Sequence, residues 1–239
     1  MTTRISVRQV SLSYPVWRKP TLALRRHARP AGPRRVDALA DVSFELGAGD
    51  RLALIGANGA GKTSLLKVLY GIYQPSTGRV EVEGRVDALF NIQLGFRAEA
   101  TGRRNIELRA LINGWAPAEI GRRMDEVIAF SELGEFIDLP FKTYSQGMAA
   151  RLAFAAATGF RPEILLMDEW IGAGDAAFQA KATKRMDEML EAAGIAILAS
   201  HNPVILRRTC RLGLVLSHGR VAFFGPLEDA LAHHEAQPG

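Results

Sequence analysis

With 239 residues, 48% of them hydrophobic, the chain can bury a substantial core as one large domain, or as a core with a smaller inserted unit. One cysteine, Cys210, excludes a disulfide framework or thiolate metal cluster and reads as an inert, partly buried thiol. No apolar run approaches the roughly 20 residues that cross a bilayer, and MTTRISVRQV lacks a signal-peptide segment, so a cytosolic location is expected.

The net charge of +5 is unevenly placed. Residues 1–36 hold nine Arg or Lys and no acid, which leaves 21 basic against 25 acidic residues in the remainder. The first pattern, RISVRQVSLSY, alternates polar and apolar residues as a strand does. The segment Trp17–Arg35 follows, with prolines at 20, 30 and 33, and reads as a loop or short amphipathic insert. Its charge suits an anionic partner, either a phospholipid surface or a phosphate-bearing substrate, although a solvated basic loop is the plainer alternative. ALADVSFEL alternates again, and the two strands predict an antiparallel edge sheet.

RLALI (51–55) is a short apolar run ending in glycines, and KTSLLKVLYGI has the spacing of an amphipathic helix. GRVEVEGRVDALF is strand-like, with Gly78 and Gly84 as breaks. From about residue 95 to 159 the pattern is helical: TGRRNIELRALING, then PAEIGRRMDEVIAFSEL opened by Pro117, then the helix after YSQGM. EILLMD and IAILAS are apolar runs without alternation, as expected of parallel strands covered on both faces. Between them lies the helix AAFQAKATKRMDEMLEAAG, closed by Gly194. LGLVLS and GRVAFFG are strands, and PLEDALAHH is a last helix opened by Pro226. The expected fold is α/β: a mostly parallel sheet, an antiparallel edge sheet and an inserted helical unit. A single domain 1–239 is expected, with its core in 1–95 and 160–239, the basic insert at 17–35 and the helical subdomain at 96–159.

Residues 56–63, GANGAGKT, fit G-x-x-x-x-G-K-[ST] between a strand and a helix, the context that motif requires. In a loop formed by Gly56, Ala57, Asn58, Gly59, Ala60 and Gly61, successive backbone N–H groups can turn toward phosphate oxygens. The helix beginning near Lys62, with Thr63 and Ser64 in its first turn, adds its positive end. Lys62 is placed to reach β and γ phosphates, and the Thr63 hydroxyl to take one Mg²⁺ position. A glycine turn with an incidental lysine is the bland alternative. ILLMDE ends a strand in two acids: Asp168 to hold Mg²⁺, usually through water, and Glu169 to act as general base. His201 lies at the end of the next apolar strand, on the same rim, where it can donate to the γ-phosphate. The expected cofactors are ATP and Mg²⁺.

GANGAGKT, YSQGM, ILLMDE and the Ser200-His201 pair, in that order and over nearly the whole chain, resemble the nucleotide-binding subunit of ATP-binding cassette (ABC) transporters. The resemblance implies a head-to-tail homodimer in which Ser145 and Gly147 of one copy cap the ATP held by the other. A hydroxyl and a bare N–H at a helix start are a fitting anion site. It also implies that Tyr14 stacks on adenine, with packing at an edge strand as the bland alternative, and that Asp175 in GAGD signals across the dimer. The glutamine that links core and helical subdomain falls on Gln93 or, by count, on Asn91.

Tyr-Ser-Gln-Gly-Met departs from the common Leu-Ser-Gly-Gly-Gln and is similar to the Tyr-Ser-Ser-Gly-Met of exporters of O-antigen, capsular polysaccharide and teichoic acid. LGFRAEATGRRNI, FIDLPFKTYSQGMAARLAF and the basic insert resemble that subgroup too. The chain stops soon after its last helix, so the carbohydrate-binding domain that some of these subunits carry is not expected here. The resemblance implies a peripheral ATPase on the cytoplasmic face of the inner membrane. It would power export of a lipid-linked polysaccharide through a transmembrane permease, with residues 17–35 on an anionic membrane surface and no nucleic acid as partner. An ABC ATPase of another transport system, or a non-transport one acting on nucleic acid or ribosome, are the alternatives.

Overall fold

The computed structural model describes residues 3–16, 34–90, 92, 95–169 and 176–236. The chain begins with β1 (Arg4–Val16), β2 (Arg34–Gly47) and β3 (Arg51–Ile55), followed by α1 (Lys62–Leu69), β4 (Thr77–Glu83) and β5 (Val86–Leu89). Three helices come next: α2 (Gly102–Ile112), α3 (Pro117–Ser131) and α4 (Gln146–Thr158). The last part runs β6 (Ile164–Asp168), α5 (Ala176–Ala192), β7 (Ile195–Ala199), α6 (Pro203–Thr209), β8 (Leu212–Ser217), β9 (Arg220–Pro226) and α7 (Leu227–Glu235).

The edge sheet has the order β2-β1-β4, antiparallel throughout. Strict alternation fails within β1 because Val7 and Val10, three residues apart, are both buried. The register with β2 shifts between them, Gln9 has φ 50° and Asp41 has φ 55°, which marks a bulge that returns the apolar positions to the core face. β2 begins at Arg34, so the last two residues of the expected basic insert are strand, with Arg35 opposite Pro15 and bonded to the Ser13 hydroxyl. Residues 17–33 lie outside the described residues. Gly78 does not break a strand as its sequence suggests. It sits inside β4 at φ 85°, where a Cβ would collide with the backbone of Arg8 and Gln9 on β1.

The main sheet has the order β5-β6-β7-β3-β8-β9, parallel except for the edge strand β9. Its central strands are buried on both faces, which is why they read as continuous apolar runs. Leu52, Leu54, Ile164, Leu166, Ile195 and Ile197 face one core, shared with α1 and the edge sheet. Their neighbours Ala53, Ile55, Leu165, Met167, Ala196 and Leu198 face the other, shared with α2–α5 and α7. Phe154 on α4 packs against Phe130 of α3 and Phe178 of α5 at ring separations of 6.0 Å each, tying the helical region to the core.

A buried polar knot makes a second tie. Asp87 on β5 accepts from Asn113 at 2.7 Å and lies 3.6 Å from the Arg109 guanidinium of α2, while the Tyr70 hydroxyl after α1 donates to Asn113. Burial pushes the Asp87 carboxyl up to about 6, against the downward pull of Arg109, the Ala88 N–H and Asn113. Among the described residues no helix is long and apolar enough to cross a membrane.

Candidate functional site

The loop Gly56–Gly61 connects β3 to α1, and two close approaches demand its glycines. A Cβ at Gly56 would overlap the Leu216 carbonyl of β8, and one at Gly61, at φ 110°, would sit 2.7 Å from the Ala38 carbonyl. The loop is tied on its outer side as well: the Gly219 N–H donates to Ala60 O at 2.9 Å, and Gly219 O accepts from the Ala40 N–H at 2.8 Å. α1 starts with Gly61 as its cap, no capping side chain and no acid in its first turn, so its free N–H groups and dipole are left for an anion.

The Lys62 ammonium donates to Gly56 O at 2.6 Å and Ala57 O at 3.1 Å, lying along the loop. Burial lowers its pKa from the usual lysine value, and the Asp168 and Glu169 charges oppose that shift. The Thr63 hydroxyl donates to Asp168 Oδ2 at 2.6 Å, so the start of α1 and the end of β6 meet across a hydroxyl–carboxylate contact. Glu169, half-exposed, has φ 75°, a backbone state that costs a non-glycine residue of order 1–3 kcal/mol. Its N–H donates to Ala199 O at 2.8 Å, which holds that turn to the end of β7. His201 Nε2 lies 3.9 Å from Glu169 Oε1.

These residues line one cleft of ≈ 530 Å³, in which Asn58, Gly59, Ala60, Gly61, Lys62, Thr63 and Ser64 face Asp168, Glu169 and His201. Tyr14 borders its mouth, with its ring 6.1 Å from that of Tyr73. Val36, Asp37 and Ala38 of β2 also line the cleft. Sequence reasoning missed these three. Their signal is only that β2 pairs with Tyr14 in register, Val36 opposite Tyr14, which no local pattern reveals.

Ser145 and Gly147 lie elsewhere. They border a separate cleft of ≈ 390 Å³ with Glu132, Leu133, Phe136, Met148 and Arg151. Ser145 is the N-cap of α4, accepting from the Met148 N–H at 3.2 Å. A Cβ at Gly147 would meet nothing closer than the Ser145 hydroxyl at 4.0 Å, so neither space nor backbone angle within this chain calls for glycine there. Tyr144 serves the fold: its hydroxyl donates to Phe136 O at 2.7 Å, its ring packs on Phe141, and burial raises its pKa. Asp175, Asn91 and Gln93 fall outside the described residues.

A family model described as ABC transporter matches residues 39–172. The chain is 40% identical over 230 residues to the O-antigen export system ATP-binding protein RfbE of Yersinia enterocolitica, covering 92% of this chain and 96% of that protein. It is 38% identical over 198 residues to the teichoic acids export ATP-binding protein TagH of Lactococcus lactis, covering 83% of this chain but only 42% of that longer protein. A solved dimeric ATP-binding cassette in a post-hydrolysis state, bound to ADP and phosphate, superposes with a TM-score of 0.67 at 20% identity, over 93% of this chain and 98% of that one.

Proposed function

The chain belongs to the ABC transporter family, and from that membership we propose that it is the ATP-hydrolysing subunit of a polysaccharide exporter. The observation that carries the mechanism is the separation of two half-sites, the cleft around Lys62 and the surface at Ser145 and Gly147. Gly147 costs the first turn of α4 roughly 1 kcal/mol relative to alanine and relieves nothing inside its own chain, which supports an external reason for it. A phosphate held by a second copy, facing the bare N–H groups and the Ser145 hydroxyl, is such a reason. The functional unit is then a head-to-tail homodimer with two composite sites.

In each site the Gly56–Gly61 loop N–H groups and the α1 dipole hold the ATP phosphates, Lys62 neutralises their charge, and Tyr14 stacks on the adenine. Thr63 and Asp168 present two hard oxygens in contact, a donor set that would fit Mg²⁺. When bound, Mg²⁺ would neutralise charge between the β and γ phosphates. The Glu169 carboxylate accepts a proton from the attacking water, and an N–H of His201 donates to the γ-phosphate. Asp175 would carry a signal across the dimer, and residues 96–159 would form the helical subdomain.

Relatives named for O-antigen and teichoic acid export support a lipid-linked polysaccharide as cargo and a transmembrane permease as partner, with this subunit on the cytoplasmic face of the inner membrane. The basic segment 17–35 would lie against anionic headgroups. Lys62→Ala should abolish both ATP hydrolysis and the appearance of glycan outside the membrane in cells that carry the permease. Glycan export undiminished by Lys62→Ala would refute the function.

A further inference from the structure

Ser200 lies between β7 and His201, is 4% exposed, and has both of its polar roles filled. Its oxygen accepts from the Asn202 N–H at 3.2 Å, and its hydroxyl donates to Glu169 Oε2, also at 3.2 Å. Asn202 is in turn fixed as the N-cap of α6, accepting from the N–H groups of Val204 and Ile205. A hydroxyl has a single proton to donate. With its oxygen aligned by Asn202, that proton points at one carboxylate oxygen and leaves Oε1 on the side of His201, at 3.9 Å.

We infer that Ser200 is a positioning residue that selects the rotamer of Glu169, holding Oε2 so that Oε1 alone faces the attacking water. The inference rests on the reading of Glu169 as general base. The need for such a brace is physical. Glu169 is half-exposed on a backbone turn at φ 75°, and of its side chain only Oε2 has a hydrogen-bond partner among the described residues. A glutamate side chain loses considerable rotamer freedom when held in one geometry, and a buried, capped hydroxyl supplies that ordering before ATP arrives. The brace sits just past the end of β7, the strand that also fixes the Glu169 N–H through Ala199 O.

The test is steady-state and single-turnover hydrolysis by the full-length chain. Ser200→Ala should lower kcat about tenfold, about 1.4 kcal/mol in barrier, with KM for ATP within about twofold. Ser200→Thr, which keeps the hydroxyl, should restore the rate. In a Glu169→Gln background the addition of Ser200→Ala should cause no further fall in the slow single-turnover rate, because the residue through which Ser200 acts is already gone. Wild-type kcat in Ser200→Ala with Glu169→Gln inactive would overturn the inference, as would an equal tenfold fall in both backgrounds. A KM rise matching the kcat loss, shared by Ser200→Thr, would reduce Ser200 to a structural link to α6 and also overturn it. Near-normal hydrolysis by Glu169→Gln itself would instead remove the premise.

Discussion

Ser145 has two separable jobs, and two substitutions pull them apart. Within its own chain the hydroxyl caps α4 through the Met148 N–H, so Ser145→Ala should cost about 1 kcal/mol, or roughly 2–4 °C in melting temperature for a chain of this size. Ser145→Asp keeps an N-cap acceptor and adds a favourable charge at the helix start, so its melting temperature should equal or exceed that of the wild type. Across the dimer the order reverses. Losing one hydroxyl that donates to a charged phosphate costs about 1.5–3 kcal/mol, roughly a 10- to 100-fold fall in turnover for Ser145→Ala. A carboxylate about 4 Å from a phosphate charge at an effective dielectric near 20 opposes binding by about 4 kcal/mol, so Ser145→Asp should fall about a thousandfold. Thermal unfolding and ATPase rates on the same preparations read both effects. Ser145→Asp that is fully folded and hydrolyses ATP at the wild-type rate would refute a trans role for this residue.

Tyr14→Ala should raise KM for ATP severalfold with kcat little changed, since the ring borders the mouth of the cleft rather than the acids, and equilibrium binding of a fluorescent ATP analogue checks this. Phe154→Ala, at the centre of the aromatic cluster joining α3, α4 and α5, should cost about 3–5 kcal/mol in urea unfolding. Asp87 is pushed up from 3.8 to about 6 in the fold, so its contribution to stability is complete below the unfolded value and is lost as pH rises through about 6. Wild type should therefore lose roughly 2 kcal/mol relative to Asp87→Asn between pH 4 and pH 7, and a pH-independent difference would contradict that. Charge-neutralising Arg25, Arg26 and Arg29 should weaken binding to vesicles rich in anionic lipid, with unchanged binding counting against a membrane role for the arm.

The strand–glycine–helix order around GANGAGKT and the two-sided burial of ILLMD and IAILA were legible because each is a local pattern. α6 was not: at seven residues it is too short for periodicity, and only its Asn202 cap and Pro203 start announce it. The Asp87–Arg109–Asn113–Tyr70 knot was invisible for a different reason, since its members come from β5, α2 and the end of α1 and meet only through tertiary packing. Gly78 shows how a local rule misleads: a glycine that reads as a strand break is instead the place where β4 and β1 approach too closely for a Cβ. Of the site, Lys62, Thr63, Asp168, Glu169 and His201 could be named from sequence and do converge on one cleft. Their distances, and the left-handed turn that aims Glu169, could not.

The composite site is tested most directly by mixing two inactive variants, Lys62→Ala and Ser145→Asp. A head-to-tail dimer of the two contains one site that joins an intact Lys62 cleft from one copy to an intact Ser145 from the other. Hydrolysis should therefore reappear on mixing, to a sizeable fraction of the wild-type rate, although neither variant alone turns over ATP. If both chains are folded and associate but the mixture stays as inactive as its parts, Ser145 serves the cleft of its own chain or none, and the two-chain site is wrong.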